Sequence, residues 1–259
     1  MPKLDRDGVK IHYEIHGTGP TLLLSHGYSS TSRMWDGQVA ALRDRYQVIV
    51  WDMRGHGESD YPTDPSKYSE ALTVGDMKAL LDQVGANKAI VAGLSLGGYM
   101  SLAFNASHPE RVRALMLFDT GPGFKKDEAR AKWNATAHER AARFDKEGLS
   151  ALNASDEVTL TRHRDATGLA GAARGMLAQQ NDRVIQSLDK VAVPTLVLVG
   201  ANDTNFLAAT DYMAAKIKGS TKVVIPDAGH AANLHQPARF NQAVEAFLTK
   251  LPAAQGATA

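Results

Sequence analysis

Hydrophobic and polar positions along the chain fall into two alternating regimes. Short runs that are apolar almost throughout, at 21–25 (TLLLS), 47–51 (QVIVW), 89–94 (AIVAGL), 114–118 (ALMLF) and 194–200 (PTLVLVG), have the pattern of strands buried on both faces. Between them lie stretches whose apolar residues recur every three or four positions, as on one face of a helix. These are 32–45, with Met34, Trp35, Val39 and Leu42; 70–84, with Leu72, Val74, Met77, Leu80, Leu81 and Val84; 206–218; and 237–251, with Phe240, Val244, Phe247 and Leu248. Residues 9–16 alternate strictly (VKIHYEIH), which predicts a half-buried edge strand. Asp7-Gly8 ahead of it is a hairpin turn and puts a first strand at 3–6. A final strand is expected at 222–225, a loop at 61–68, and a frayed tail at 252–259.

Buried strands alternating with helices predict an α/β fold: a mostly parallel, eight-stranded sheet with helices on both faces. The rhythm breaks once. From 124 to 189 the chain is rich in Ala, Arg, Asp and Glu, carries no buried-strand run, and reads as several short helices. This divides the chain into a core, 1–121 with 190–251, and a small helical cap, 122–189, inserted after the sixth strand. In such sheets ligands bind at the carboxyl ends of the strands. Ser25-His26-Gly27, Asp52, Ser95, Asp119, Asp203 and His230 all fall at, or just beyond, predicted strand ends.

One of these positions carries a motif. In Gly93-Leu94-Ser95-Leu96-Gly97 an apolar run stops at a glycine-flanked serine, and a helix over 95–106 follows at once. That pattern fits a strand-to-helix turn that holds a serine in a strained, exposed position. A serine hydroxyl is nearly un-ionised at neutral pH, so it attacks only when a base removes its proton. The bland alternative is a serine that merely caps the following helix.

Composition narrows the field. At 259 residues, 44% apolar and 22% charged, the chain is an ordinary globular protein by composition, of a size that α/β folds enclose in one core. A net charge of +1 without any basic stripe argues against a nucleic-acid partner. No apolar run approaches the roughly 18 residues of a spanning helix, and the charged N-terminus does not resemble a secretory leader, so a cytoplasmic location without membrane contact is expected. With no cysteine, disulfides, thiolate metal sites and cysteine nucleophiles are excluded.

The motifs together resemble the α/β-hydrolase family over essentially residues 8 to 250. They are His26-Gly27 after a strand, Asp52-Met53-Arg54-Gly55-His56-Gly57-Glu58-Ser59, the serine turn, Gly200-Ala201-Asn202-Asp203, and Ala228-Gly229-His230. The resemblance implies a triad in the chain order serine, acid, histidine: Ser95 as nucleophile, Asp203 as acid and His230 as base. Asp119 is an alternative acid position in some relatives. Among nine histidines, only His230 sits in the glycine-preceded loop where the family places its base; His26 and His56 shape loops, and His235 opens the last helix. Asp52 is expected to brace the Arg54 turn. Backbone amides of Tyr28 and Leu96 are expected to form an oxyanion hole. Trp133, Arg174, Met176 and Phe206 are candidate substrate contacts, with Arg174 either binding a substrate carboxylate or making a surface ion pair.

Ser95 stands where epoxide hydrolases and haloalkane dehalogenases carry aspartate, which argues against those activities. The Gly-Tyr-Ser-Ser run after His26 lacks the Gly-Pro-Gly of meta-cleavage carbon–carbon hydrolases. The order of motifs is most similar to small esterases, enol-lactone hydrolases and cofactor-free haloperoxidases. The expected function is therefore hydrolysis of a small ester or lactone through an acyl-enzyme, with no metal or organic cofactor. A carbon–carbon hydrolase and a non-catalytic ligand-binding sensor are the competing readings.

Overall fold

The computed structural model describes residues 2–252. The chain forms one eight-stranded sheet in the order β1-β2-β4-β3-β5-β6-β7-β8. Its strands are β1 (Lys3–Arg6), β2 (Val9–His16), β3 (Thr21–Ser25), β4 (Gln47–Trp51), β5 (Ala89–Leu94), β6 (Val112–Phe118), β7 (Thr195–Gly200) and β8 (Thr221–Ile225). β2 runs antiparallel to both β1 and β4, and every later pairing is parallel. The fold class expected from the pattern is the one observed.

Parallel strands covered on both faces must be apolar on both, and β5 is buried along its whole length. Successive side chains point to opposite faces, so each strand feeds two cores. Leu23, Ile49, Val91, Leu115 and Val197 join one core, beneath helices α2 (Glu70–Gln83) and α3 (Leu96–Ser107). Leu22, Leu24, Val48, Ile90, Met116 and Leu198 join the other, beneath α1 (Asp36–Leu42) and the C-terminal helix over Pro237–Leu248.

Three expectations need correction. β2 is not the edge strand: β1 lies outside it, and the alternation of burial holds only over Val9–Ile11, with His12 buried on the polar face and Ile15 exposed on the apolar one. The helix predicted over 32–45 opens as a 3-10 turn, Ser32–Trp35, and is α-helical only over α1. The insertion between β6 and β7 is not built of short helices alone. It opens with the 21-residue α4 (Asp127–Glu147), followed by α5 (Asp156–Thr159), α6 (Thr167–Ala172), a π-turn (Ala173–Leu177) and α7 (Arg183–Gln186). Ala141, Phe144, Ala151, Leu169 and Ala170 form its own small core, with Tyr28 packed against it, whereas Val184 and Leu188 join the main one. The remaining helices are α8 (Leu207–Lys216), α9 (Ala232–His235) and α10 (Pro237–Leu248). Residues 253–259 of the expected tail lie outside the described residues.

Candidate active site

Ser95 stands between β5 and α3 with φ 55° and ψ −117°, a conformation that side chains other than glycine rarely adopt. Its backbone is clamped against β6: the Ser95 N–H donates to Phe118 O at 3.0 Å, and Thr120 Oγ1 donates to Ser95 O at 2.6 Å. The flanking glycines are a steric requirement. A Cβ on Gly93 would sit 2.2 Å from the carbonyl carbon of Gly97, and one on Gly97 would sit 2.1 Å from Ser25 O. The Ser95 side chain does not cap α3, which removes the bland explanation of the motif.

The candidate base and acid, His230 and Asp203, come from the loops after β8 and β7. Backbone bonds tie these loops together, from Ala201 N to Ile225 O (2.9 Å) and from Asn202 N to Ala228 O (2.8 Å). His230 Nδ1 lies 2.8 Å from Asp203 Oδ2. An ionised carboxylate only accepts, so Nδ1 carries the proton and Nε2 keeps its lone pair. Burial pulls the His230 pKa down, but the bond and charge of Asp203, followed by Asp119 and Glu157, outweigh it and raise the pKa above 6.5. Phe206 stacks on the imidazole with ring centroids 5.1 Å apart. In this state Ser95 Oγ forms no hydrogen bond to His230 among the described residues, and such contacts often tighten only with substrate bound.

Asp119 is close to this pair but differently engaged. It is fully buried at the end of β6, and its Oδ1 accepts from Gly200 N at 2.7 Å, which braces the acid loop. Burial pushes its pKa up to about 8. The bond to His230 belongs to Asp203, so the acid position favoured by the sequence is the one in contact.

The third component is the loop after β3. A Cβ on Gly27 would touch Ser95 Cβ at 3.5 Å, so this loop passes directly beside the serine. The backbone N–H groups of Tyr28 and Leu96 donate to no group among the described residues. Three histidines hold the loop. His26 Nε2 accepts from Met53 N (2.9 Å) and its Nδ1 meets Gly27 O (2.7 Å). His56 Nε2 accepts from Ser29 N (3.2 Å) and its Nδ1 meets Arg54 O (3.0 Å). From the insertion, His163 Nε2 meets Ser29 O (3.1 Å) while its Nδ1 accepts from Gly57 N (3.3 Å). Each ring thus accepts one backbone N–H and donates to one backbone carbonyl, which requires the neutral form. Burial agrees with the geometry: it lowers His26 to about 4, His56 well below 6.5, and His163 in the same direction.

The sequence profile of the alpha/beta hydrolase family matches residues 22–243. The chain belongs to the alpha/beta hydrolase family. It is 30% identical to 3-oxoadipate enol-lactonase 2 of Acinetobacter baylyi, over 95% of this chain and 96% of that one. Among solved structures it resembles a thermophilic esterase from Thermogutta terrifontis determined with malate bound (29% identity, TM-score 0.84, covering 97% of this chain and 99% of that one). It also resembles the enol-lactonase of Burkholderia xenovorans (27% identity, TM-score 0.79, 96% and 100%).

The other predicted residues of this alpha/beta hydrolase are placed unequally. Phe206 is at the site, stacked on His230. Trp133 packs on Phe124 and donates to Leu177 O, and Met176 is buried in the main core. Arg174 forms an exposed ion pair with Asp145. Asp52 braces the Arg54 turn as expected, accepting from Glu58 N (2.9 Å), and also holds Ser32 N (2.7 Å). Arg54 itself makes a buried bidentate pair with Asp76, at 2.6 and 2.8 Å. His235 ends α9 instead of opening the last helix, and its ring joins Gly229 N to Asp156 of the insertion. His163 and Asp76 were not singled out from sequence, because their partners lie far along the chain. A surface groove of about 610 Å³ beside Asp60 and Arg164 contains none of the candidate catalytic residues. Among the described residues no three His, Asp or Glu side chains are gathered to hold a metal ion.

Proposed function

We propose that the protein is a serine hydrolase that cleaves a small carboxylic ester or lactone through an acyl-enzyme. The observation that carries this reading is the 2.8 Å His230–Asp203 bond, which leaves Nε2 as the free base, in a fold that holds Ser95 in a strained turn at the end of β5, on the same rim of the sheet. His230 takes the proton from Ser95 Oγ as the oxygen attacks the carbonyl. Asp203 keeps the tautomer and stabilises the imidazolium that forms. The unengaged amides of Tyr28 and Leu96 receive the oxyanion, and the N-terminus of α3 adds its positive dipole end. Collapse passes the proton to the leaving alkoxide; water, deprotonated by His230, then releases the acid. In a lactone the leaving alcohol stays attached to the acyl group. Resemblance to an enol-lactonase and an esterase supports an ester-like carbonyl as the target.

The test is release of p-nitrophenol from short p-nitrophenyl esters by wild type and Ser95→Ala. Loss of turnover in the folded variant is expected; wild-type turnover in Ser95→Ala contradicts the proposal.

A further inference from the structure

A second cavity, of about 170 Å³, opens beside the candidate oxyanion loop; Tyr28, Ser29, Arg140, Arg143, Phe144 and Asn153 are among its walls. Its position relates it to the reaction centre. A Cβ on Gly27 would lie 3.5 Å from Ser95 Cβ, and Tyr28, the next residue, with its Cα about 3.8 Å further along, lines the cavity. The volume is below the ~300 Å³ at which pockets begin to enclose whole drug-sized ligands, so it suits one arm of a substrate.

The charge of this cavity is one-sided. Arg140 and Arg143 lie one turn apart on α4 and share a face of that helix. Arg140 has no carboxylate within ion-pair distance among the described residues. The one partner of Arg143 there, Glu147, is 3.5 Å away in an exposed pair of the kind that contributes little. Arg174, by contrast, is neutralised by Asp145. No Asp or Glu lines the cavity, and Phe144, Ala151 and Leu152 give it an apolar wall. The field reaches the loop: burial raises the Tyr28 pKa, and Arg140, ahead of Arg174, acts against that rise.

We propose that this cavity binds a carboxylate borne by the substrate, so that the preferred ester or lactone is acidic, with a short aliphatic spacer on Phe144 and Leu152 and its carboxylate on Arg140 and Arg143. A guanidinium presents paired N–H groups to a carboxylate, and two of them supply more donors than one anion can use. The inference rests on the serine-hydrolase reading, which fixes where the scissile carbonyl sits.

The experiment compares kcat/KM for mono-p-nitrophenyl adipate and p-nitrophenyl hexanoate, acyl chains of equal length that end in a carboxylate or a methyl group. Wild type is expected to prefer the acidic ester by tenfold or more at low salt. Arg140→Glu with Arg143→Glu is expected to lower that ratio at least thirtyfold, whereas Arg140→Lys keeps part of it. Lys88→Glu, in the turn before β5 and so at the opposite end of the sheet, should leave the ratio unchanged and thereby exclude general steering. A wild-type ratio near one overturns the inference whether or not the double variant folds. So does a ratio preserved in the double variant, or shifted equally by Lys88→Glu. Ser95-dependent hydrolysis of both esters without preference overturns this inference alone; hydrolysis that survives Ser95→Ala overturns the reading beneath it.

Discussion

Asp203→Asn isolates the least visible part of the proposed chemistry. Asp203 is only 4% exposed, and one of its oxygens accepts from His230 Nδ1 at 2.8 Å. The carboxamide fits the same space but carries no charge and offers an N–H₂ group that can hold the imidazole in the wrong tautomer. Where this substitution has been made in a serine triad the loss in kcat is roughly 10,000-fold. At ~1.4 kcal/mol per tenfold, that is about 5 kcal/mol of barrier. Asp119 does not replace it, because its Oδ1 is engaged by Gly200 N and burial keeps its pKa near 8. A pH signature accompanies the loss. Burial lowers the His230 pKa and the Asp203 bond more than restores it, so removing the charge moves the acidic limb of kcat/KM to lower pH. The assay is p-nitrophenyl ester hydrolysis from pH 5 to 9, with folding checked by circular dichroism. A folded Asp203→Asn enzyme within tenfold of wild type, with its acidic limb unmoved, refutes the role assigned to Asp203.

Three further outcomes concern the scaffold. Arg54→Ala removes the bidentate partner of Asp76, which is fully buried and keeps only Arg6 Nε at 3.4 Å, and is expected to cost about 3 kcal/mol in urea unfolding; Arg54→Met with Asp76→Leu should cost clearly less. Above pH 6.5 His26 is neutral folded or unfolded. Between 6.5 and about 4 only the unfolded chain takes up its proton, so stability present in full above that window is lost as pH falls through it, by up to roughly 3 kcal/mol; melting curves that do not change between pH 7 and 4.5 contradict this. Gly93→Ala forces a methyl group into the Gly97 backbone and is expected to cost ~3 kcal/mol or more, read as a lowered melting temperature, whereas Gly85→Ala meets no atom and is burdened only by its positive φ.

The inner strands were legible because burial on both faces leaves an unbroken apolar run, as in β5. The reaction-centre candidates were legible for a related reason: parallel strands bring their carboxyl ends to one rim, so residues at chain-distant strand ends become neighbours. Where burial is partial the signal weakened. The alternation of β2 says nothing about which strand lies beyond it, and it does not foretell that His12 is buried while Ile15 is exposed. The length of α4 was missed because its buried residues are Ala137, Ala141 and Phe144, a stripe with little hydrophobic contrast against its neighbours. The roles of His163 and Asp76 depend on partners brought together by the cap and by the Arg54 loop, and no local pattern encodes those contacts.

In the proposed reaction Ser95 forms the covalent intermediate. Intact-mass spectrometry after treatment with diethyl p-nitrophenyl phosphate tests it most directly, because displacement of p-nitrophenolate leaves a diethylphosphoryl group on the attacking oxygen. A single adduct that maps to Ser95 is expected, with loss of ester hydrolysis in step with labelling and neither labelling nor hydrolysis in a folded Ser95→Ala variant. An adduct on another residue accompanied by inactivation, or full hydrolysis by an enzyme quantitatively modified at Ser95, would contradict it.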